Sequence, residues 1–316
     1  MDLQQFSEKV ASARAEASKA LVGQAKLFDL LMTSLFSDGH VLLEGVPGVA
    51  KTLSAKLMAH MIEADFKRIQ FTPDLMPSDI IGNSIYNLKE QEFEYKRGPI
   101  FANIVLIDEI NRAPAKTQAA LFEVMDEKQI TNDGKQHDFE DPFMVVATQN
   151  PIEQEGTYRL PEAQLDRFLF KVVVDYPSQS EEEQILNLIN NQSDFKKLAF
   201  IESVLKKEEI LAARELISNV LIKEELITYI SKLISETRTE STLFLGASPR
   251  ASIDLMKSSK AFAALNGREF ITPEDVQFLF GPVIEHRVQL TPEAELQGIT
   301  VSEVSKQIIQ RVEVPK

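Results

Sequence analysis

The sequence predicts a doubly wound α/β domain followed by a smaller, all-helical one, and three observations carry that prediction. Short apolar runs rich in Val, Ile and Leu alternate with helical patterns through the first half of the chain. Because these runs lack polar alternation, both faces of each strand must be buried, as in a parallel sheet between helical layers. After Tyr176-Pro177 the strand signal stops and only helical patterns with recognisable starts remain. Finally, 316 residues suit two domains, at roughly 100–200 residues each. The boundary is therefore expected between residues 1–176, which include two N-terminal helices, and residues 177–316.

Taken in order, an amphipathic helix is expected from about Leu3 to Leu21 and a second from Gln24 to Phe36. Strands are expected at His40 to Glu44, Phe66 to Gln70, Ile104 to Asp108, Phe143 to Thr148 and Phe168 to Val174. Helical segments near Lys51 to Ile62, Pro114 to Glu127 and Pro161 to Asp166 lie between them. Asn132-Asp133-Gly134 reads as the turn of a β-hairpin, and a second hairpin is expected between about Asn83 and Lys96. In the second domain, Ser180 with Glu183 reads as a capping box, and Thr272-Pro273 as an N-cap followed by Pro at the first helical position.

Composition narrows the function. With 44% hydrophobic and 26% charged residues the chain is an ordinary globular protein. It has 34 Lys and Arg against 48 Asp and Glu, a formal charge of −14, so a phosphate backbone is repelled and nucleic acid is not an expected partner. There is no cysteine, which removes disulfides, thiolate metal sites and a cysteine nucleophile together. Residues Met1 to Ala20 contain no apolar signal core, and no apolar run approaches the roughly 20 residues of a membrane span. A cytoplasmic location without a membrane span is the expectation.

The first chemical motif follows the first strand. Gly45-Val46-Pro47-Gly48-Val49-Ala50-Lys51-Thr52 joins a buried strand to a helix. Such a turn aims several backbone N–H groups and a helix N-terminus at one anion, with Lys51 as a point charge and the Thr52 hydroxyl as a Mg²⁺ ligand. This is a P-loop, and the expected nucleotide contacts run from Gly45 to Leu53, that is Gly45, Val46, Pro47, Gly48, Val49, Ala50, Lys51, Thr52 and Leu53. Ala50 replaces the second glycine of the usual pattern and, as the residue that opens the helix, is expected in the right-handed conformation.

Further along, Ile104 to Ile107 ends in Asp108-Glu109. Strand C-termini of an α/β sheet open on the ligand crevice, so Asp108 is placed to hold Mg²⁺ through water and Glu109 to polarise the attacking water. Asn150, in Thr148-Gln149-Asn150-Pro151, is an amide at a neighbouring strand end that suits a γ-phosphate or the attacking water. Two arginines complete the set. Arg167 lies between a short helix and the last strand, where an ion pair with Asp166 is the bland reading. Arg250 follows Ser248-Pro249 in the first turn of a helix, where the macrodipole disfavours a cation, so an anion is expected beside it, namely the γ-phosphate reached from the second domain. Basic pairs such as Lys67-Arg68 read as solvated faces, and the four histidines are dispersed, with no metal-site spacing.

Together these residues resemble the AAA+ ATPases, specifically the MoxR family. The resemblance rests on Gly45 to Thr52, Leu106 to Ala120, Ala147 to Glu153, Glu155 to Tyr158, Leu160 to Phe168 and Ser248 to Ala251, and it extends over Gly281 to Val301. Arg159 departs from it, since the family more often has Pro there. The resemblance implies a P-loop NTPase core with a helical lid, ATP and Mg²⁺ as cofactors, and a hexameric homo-oligomer with nucleotide at the subunit interface. It also implies Asn150 as sensor 1, Arg250 as sensor 2, Arg167 as a finger reaching the neighbour's nucleotide, and the two hairpins as inserts of that clade. It further implies chaperone-like remodelling or maturation of client proteins, with proteins carrying von Willebrand factor A domains as candidates and with cofactor or metal insertion as a variant. The alternative is a DNA motor related to minichromosome-maintenance helicases, against which stand the net charge and the lack of a basic, aromatic-interleaved stripe. A switch GTPase lacks its Asn-Lys-x-Asp base-reading motif here.

Overall fold

The computed structural model describes residues 1–46, 48–151, 157–191, 198 and 200–315. In chain order it contains α1 (Leu3–Ser18), α2 (Ala25–Phe36), β1 (Val41–Glu44), α3 (Lys51–Met61), β2 (Phe66–Gln70), α4 (Pro77–Ile81), β3 (Gly82–Asn87), β4 (Glu92–Arg97) and β5 (Ile104–Asp108). There follow α5 (Ala115–Glu127), β6 (Gln129–Asn132), β7 (Lys135–Asp138), β8 (Met144–Gln149), α6 (Glu162–Leu165) and β9 (Phe170–Val173). The remainder is α7 (Gln179–Asn191), α8 (Lys207–Ser218), α9 (Glu224–Thr239), β10 (Leu243–Leu245), α10 (Pro249–Leu265), α11 (Pro273–Ile284), β11 (Gln289–Leu290), α12 (Pro292–Leu296) and α13 (Val301–Arg311).

Strands β2, β5, β8, β1 and β9 form one sheet in that order, and every pairing in it is parallel. The period-two geometry of a strand divides its apolar residues between two cores. Leu43, Ile104, Leu106, Val146 and Phe170 face one, while Leu42, Val105, Ile107, Val145 and Ala147 face the other. Each such side chain contributes roughly 1.5–3 kcal/mol on burial, which is why continuous apolar runs specify this layered fold.

The first core does not stop at the end of the sheet. It runs without a break through α1 and α2 into Leu226, Leu255, Val276 and Ile284 of the C-terminal helices. Helices α1 and α2 both pack on α10, and α11 packs on β9. The C-terminal region is thus joined to the α/β region by shared apolar packing as well as by the chain.

Both expected hairpins are present, as β3 with β4 and β6 with β7. At the turn of the latter, Asp133 and Gly134 take φ of 49° and 73°, as a tight hairpin with two left-handed residues requires. The expectation for the C-terminal region needs two corrections. Its helices are accompanied by an antiparallel ribbon of β10 with β11, too short to leave an alternating pattern in the sequence. The cap of α7 is Ser178 with Glu181, not Ser180 with Glu183: the Ser178 N–H donates to Glu181 Oε2 at 2.7 Å, so the helix starts two residues earlier. Thr272 caps α11 as expected, its N–H donating to Asp275 Oδ2 at 2.8 Å.

His40, at the mouth of β1, is fully buried and neutral. Its Nδ1 accepts from the Val145 N–H at 2.9 Å and its Nε2 donates to the Met125 carbonyl at 3.1 Å, which ties β8 and α5 to β1. Burial pushes its pKa down to about 4. Since the unfolded chain takes up that proton near pH 6.5, stability is complete above about pH 6.5 and falls as the pH drops toward 4, by on the order of 3 kcal/mol. Denaturant midpoints measured at pH 7 and pH 5 are therefore expected to differ less in His40→Asn than in wild type. Equal differences would remove His40 as a source of acid sensitivity.

Candidate functional site

Strand β1 ends at Glu44, and the loop from Gly45 leads into α3 at Lys51. Gly45 has no room for a side chain, because a Cβ there would stand 2.6 Å from the Val174 carbonyl oxygen, and Gly48 takes φ of 90°. Ala50 differs from expectation: it adopts φ 62°, ψ 14°, the left-handed conformation, immediately before the helix. The chain must still reverse at that residue before the first helical turn, and Ala carries a cost of roughly 1–2 kcal/mol that glycine would not. Pro47 lies outside the described residues. Lys51 Nζ reaches the Gly45 carbonyl and, at 3.4 Å, the Gln149 carbonyl, so its charge sits between β1 and β8.

The acidic pair stands at the end of β5. Asp108 is buried, its Oδ1 accepting from Thr148 Oγ1 at 3.1 Å and its Oδ2 from Arg68 Nε at 2.5 Å. Thr148 also accepts the Glu109 N–H at 3.0 Å, so one hydroxyl on β8 fixes both acids. Glu109 has φ 58°, ψ 52°, an uncommon conformation for a side-chain-bearing residue. That turn lifts its carboxylate out of the strand direction, and such strain concentrates at functional positions. Its Oε2 meets Gln70 Nε2 at 2.7 Å and Arg112 Nε at 3.1 Å.

Lys51, Arg68, Gln70, Asp108, Glu109 and Thr148 line one cavity of about 850 Å³, together with Gly48, Val49, Ala50, Thr52, Leu53, Lys56 and the buried Asn150. Its opposite side is apolar, made by Leu21 and Val22 after α1 and by Pro177, Ile185 and Ile189 at and within α7. A cleft with a polar, cationic end and an apolar end fits a nucleotide's phosphates and base respectively. The hydroxyl of Thr52 and the carboxylate of Asp108 are hard oxygen donors. Among the described residues no cluster of three or more His, Cys, Asp or Glu side chains is placed to hold a metal. A cation here must complete its shell with water and phosphate oxygens, as Mg²⁺ does.

Strand β2 supplied what sequence reading missed. Lys67-Arg68 was expected to be a solvated pair, yet Arg68 is the ion partner of Asp108. The only sequence signal is that Arg68 and Gln70 share one face of β2, with Gln70 in register with Asp108 of β5.

The two arginines are brought together at one carboxylate, and neither is among the residues lining the cavity. Arg167 pairs with Asp126 and donates from Nη1 to the Phe122 carbonyl at 2.7 Å, both on α5. It does not pair with Asp166, whose carboxylate is taken by Arg287 at 2.7 Å. Arg250 reaches the same Asp126, at 3.4 Å. The anion required beside Arg250 is thus found within the chain. Helix α10, which packs on α1 and α2, places Arg250 beside α5 in this structure. Of the motif after Asn150, residues 152–156 lie outside the described residues.

A family model described as "ATPase family associated with various cellular activities (AAA)" matches residues 40–170, and one described as "AAA lid domain" matches residues 235–310. The chain is similar to the chaperone MoxR1 of Mycobacterium tuberculosis, 41% identical over 95% of this chain and 81% of that one. It is also similar to an uncharacterised Bacillus subtilis protein, YeaC, at 47% identity over 94% and 92% of the two chains. A solved structure from Cytophaga hutchinsonii, described as a candidate ATPase, superposes with a TM-score of 0.91 at 40% identity, covering 99% and 97%. The fold and cavity define an AAA+ ATPase. Within that class, the chain belongs to the MoxR family.

Two substitutions test the cavity. Lys51→Ala is expected to abolish nucleotide binding measured with a fluorescent ATP analogue. Glu109→Gln is expected to bind ATP nearly normally while phosphate release falls at least about 100-fold, because the phosphate cradle survives and water positioning does not. Undiminished phosphate release from Glu109→Gln would remove Glu109 from its role.

Proposed function

We propose that this chain is a Mg²⁺-dependent ATP hydrolase that works as a homo-oligomeric, six-membered ring and spends the energy on remodelling partner proteins. Residues 1–176 form the nucleotide-binding core in this reading and residues 177–316 the lid. The backbone N–H groups of Gly48 and its neighbours and Lys51 hold the phosphates, and Glu109 orients the attacking water with Asn150 beside it. Mg²⁺, held by Thr52 and Asp108, supplies charge neutralisation on the phosphate oxygens.

The observation that carries the ring is the position of Arg167 and Arg250. Neither lines the cavity of its own chain, and the two meet at Asp126, 29–44% exposed as side chains. Two half-exposed guanidinium groups held together away from their own nucleotide are suited to a neighbour's, and a finger arginine contributes on the order of 10³–10⁵ in rate. Both arginines therefore act in trans in this proposal.

Remodelling is supported by the chaperone name of the Mycobacterium tuberculosis relative and by the hairpins. Leu88, between β3 and β4, is 83% exposed and Phe93 70%, apolar side chains that suit contact with a client chain. Ser84 on β3 bonds Asn132 at 2.7 Å and also Asp133, which links the two hairpins. Proteins with von Willebrand factor A domains are the proposed clients, metal or cofactor insertion one form of the work, and the cytoplasm its place. A DNA motor is disfavoured by the −14 charge.

Mixing tests shared catalysis. Arg167→Ala is expected to bind ATP within about threefold of wild type and to hydrolyse it at least about 100-fold more slowly. Mixed with Glu109→Gln subunits, it forms some interfaces that pair an intact Glu109 with an intact Arg167, and part of the activity returns. Verified mixed rings that recover nothing end the trans reading. For the client, a tagged Glu109→Gln ring loaded with ATP is expected to retain specific proteins that Lys51→Ala does not; identical captured sets argue against ATP-driven remodelling.

A further inference from the structure

The segment that carries Arg167 lies between two short elements. Helix α6 is a single turn, Glu162–Leu165, and β9 begins only at Phe170. Between them, Asp166 and Phe168 are both fastened from the lid by Arg287, which is 1% exposed. Its Nε donates to Asp166 Oδ1 at 2.7 Å, and its Nη2 to the carbonyls of Asp166 at 3.0 Å and Phe168 at 2.8 Å. Arg167 is therefore flanked on both sides by carbonyls bound to the same guanidinium. The neighbouring His286 adds a 2.8 Å bond from Nε2 to the Phe168 carbonyl.

The other end of the fork faces the lid. Nη1 donates to the Val283 carbonyl on α11 at 3.0 Å, and Nη2 to Asp254 Oδ2 on α10 at 2.6 Å. Asp254 stands four residues after Arg250, one turn along the same helix face. Ser248, the cap of α10, reaches Asp166 as well, at 3.4 Å. Arg287 thus bridges the turn that carries Arg167 and the helix that carries Arg250.

We propose that Arg287 is a positioning residue that fixes Arg167 and Arg250 relative to each other, so that the two cations are presented to a neighbouring subunit as one rigid pair. This rests on the trans reading given above. A planar fork with five donors can hold acceptors on two elements at once; a lysine ammonium, a compact point charge on a flexible stem, cannot reproduce those directions. Burying the fork is tolerated because each of its three nitrogens has a carbonyl or carboxylate partner.

The test uses the full chain and the complementation already described. Arg287→Lys is expected to bind ATP at full stoichiometry and within about threefold of wild-type affinity while kcat falls at least about tenfold, whereas lost folding would lower the stoichiometry together with kcat. Its own Glu109 is intact, so mixing with Glu109→Gln restores part of the activity, whereas mixing with Arg167→Ala restores none, since both lack the same half of the interface. Wild-type kcat in Arg287→Lys overturns the proposal, as does recovery in the mixture with Arg167→Ala. If Arg287→Lys does not fold, Asp254→Asn, which releases only the α10 end of the bridge, is expected to give the same pattern, and wild-type kcat there overturns the proposal equally. Arg167→Ala alone, run in parallel, separates the two claims. Full turnover in that variant removes the trans reading and this assignment together, while its expected loss beside an unaffected Arg287→Lys removes only the assignment to Arg287.

Discussion

Much of the site follows from the constraint that strands buried on both faces, as β1, β5 and β8 are, have no room for polar side chains except where they end. Five parallel strands bring their carboxyl ends to one edge, and it is there that Asp108, Thr148 and Asn150 collect around one cavity. The backbone supplies most of the order. Side chains then lock it, above all the Thr148 hydroxyl, which accepts from the Glu109 N–H while donating to Asp108. Because those bonds are made inside the protein, where an unpaired polar group is costly, both acids are held even though Glu109 itself takes an unfavourable backbone conformation.

A second consequence concerns motion. The lid shares a continuous apolar core with α1, α2 and the sheet, and the buried Arg287 fork crosses the same boundary. Opening the lid as a hinge would expose that core and break the buried bonds of the Arg287 fork. Small adjustments at an interface between copies avoid it. In the proposed ring, this packing suits a nucleotide read by an adjacent subunit. Burial also raises the proton affinity of Asp254 despite its contact with Arg287, which marks how dry this joint is.

Much of this was legible beforehand, and what was not has a common cause. The five strands, the P-loop and Asp108-Glu109 could be read because local periodicity and strand-loop-helix order determine them. The destination of a long polar side chain is not local. Arg68 and Gln70 look like any charged and polar residues on a strand at the sheet's edge, and only the pairing of β2 with β5 brings them to Asp108 and Glu109. Arg250 was recognised as misplaced at a helix start, but its partner Asp126 is 124 residues away, and no spacing rule finds it. Ala50 was misread for another reason. Its right-handed preference as an isolated residue is real, and the loop overrides it because the reversal must occur before α3 begins.

The charge distribution reconciles an acidic protein with an anionic ligand. The chain carries −14 overall, yet Lys51, Lys56 and Arg68 line the nucleotide cavity against Asp108 and Glu109, leaving a local excess of one positive charge before the N-terminus of α3 is counted. Further cations gather at the joint, where Arg167, Arg250 and Arg287 face Asp126, Asp166 and Asp254 in equal number. That balance lets three guanidinium groups lie close together without mutual repulsion dominating. It also leaves the outer surface predominantly acidic, so that a compact, multiply charged phosphate entering the cavity is held by fields that act over a few ångströms. A phosphate polymer approaching from outside meets the net charge first and is turned away.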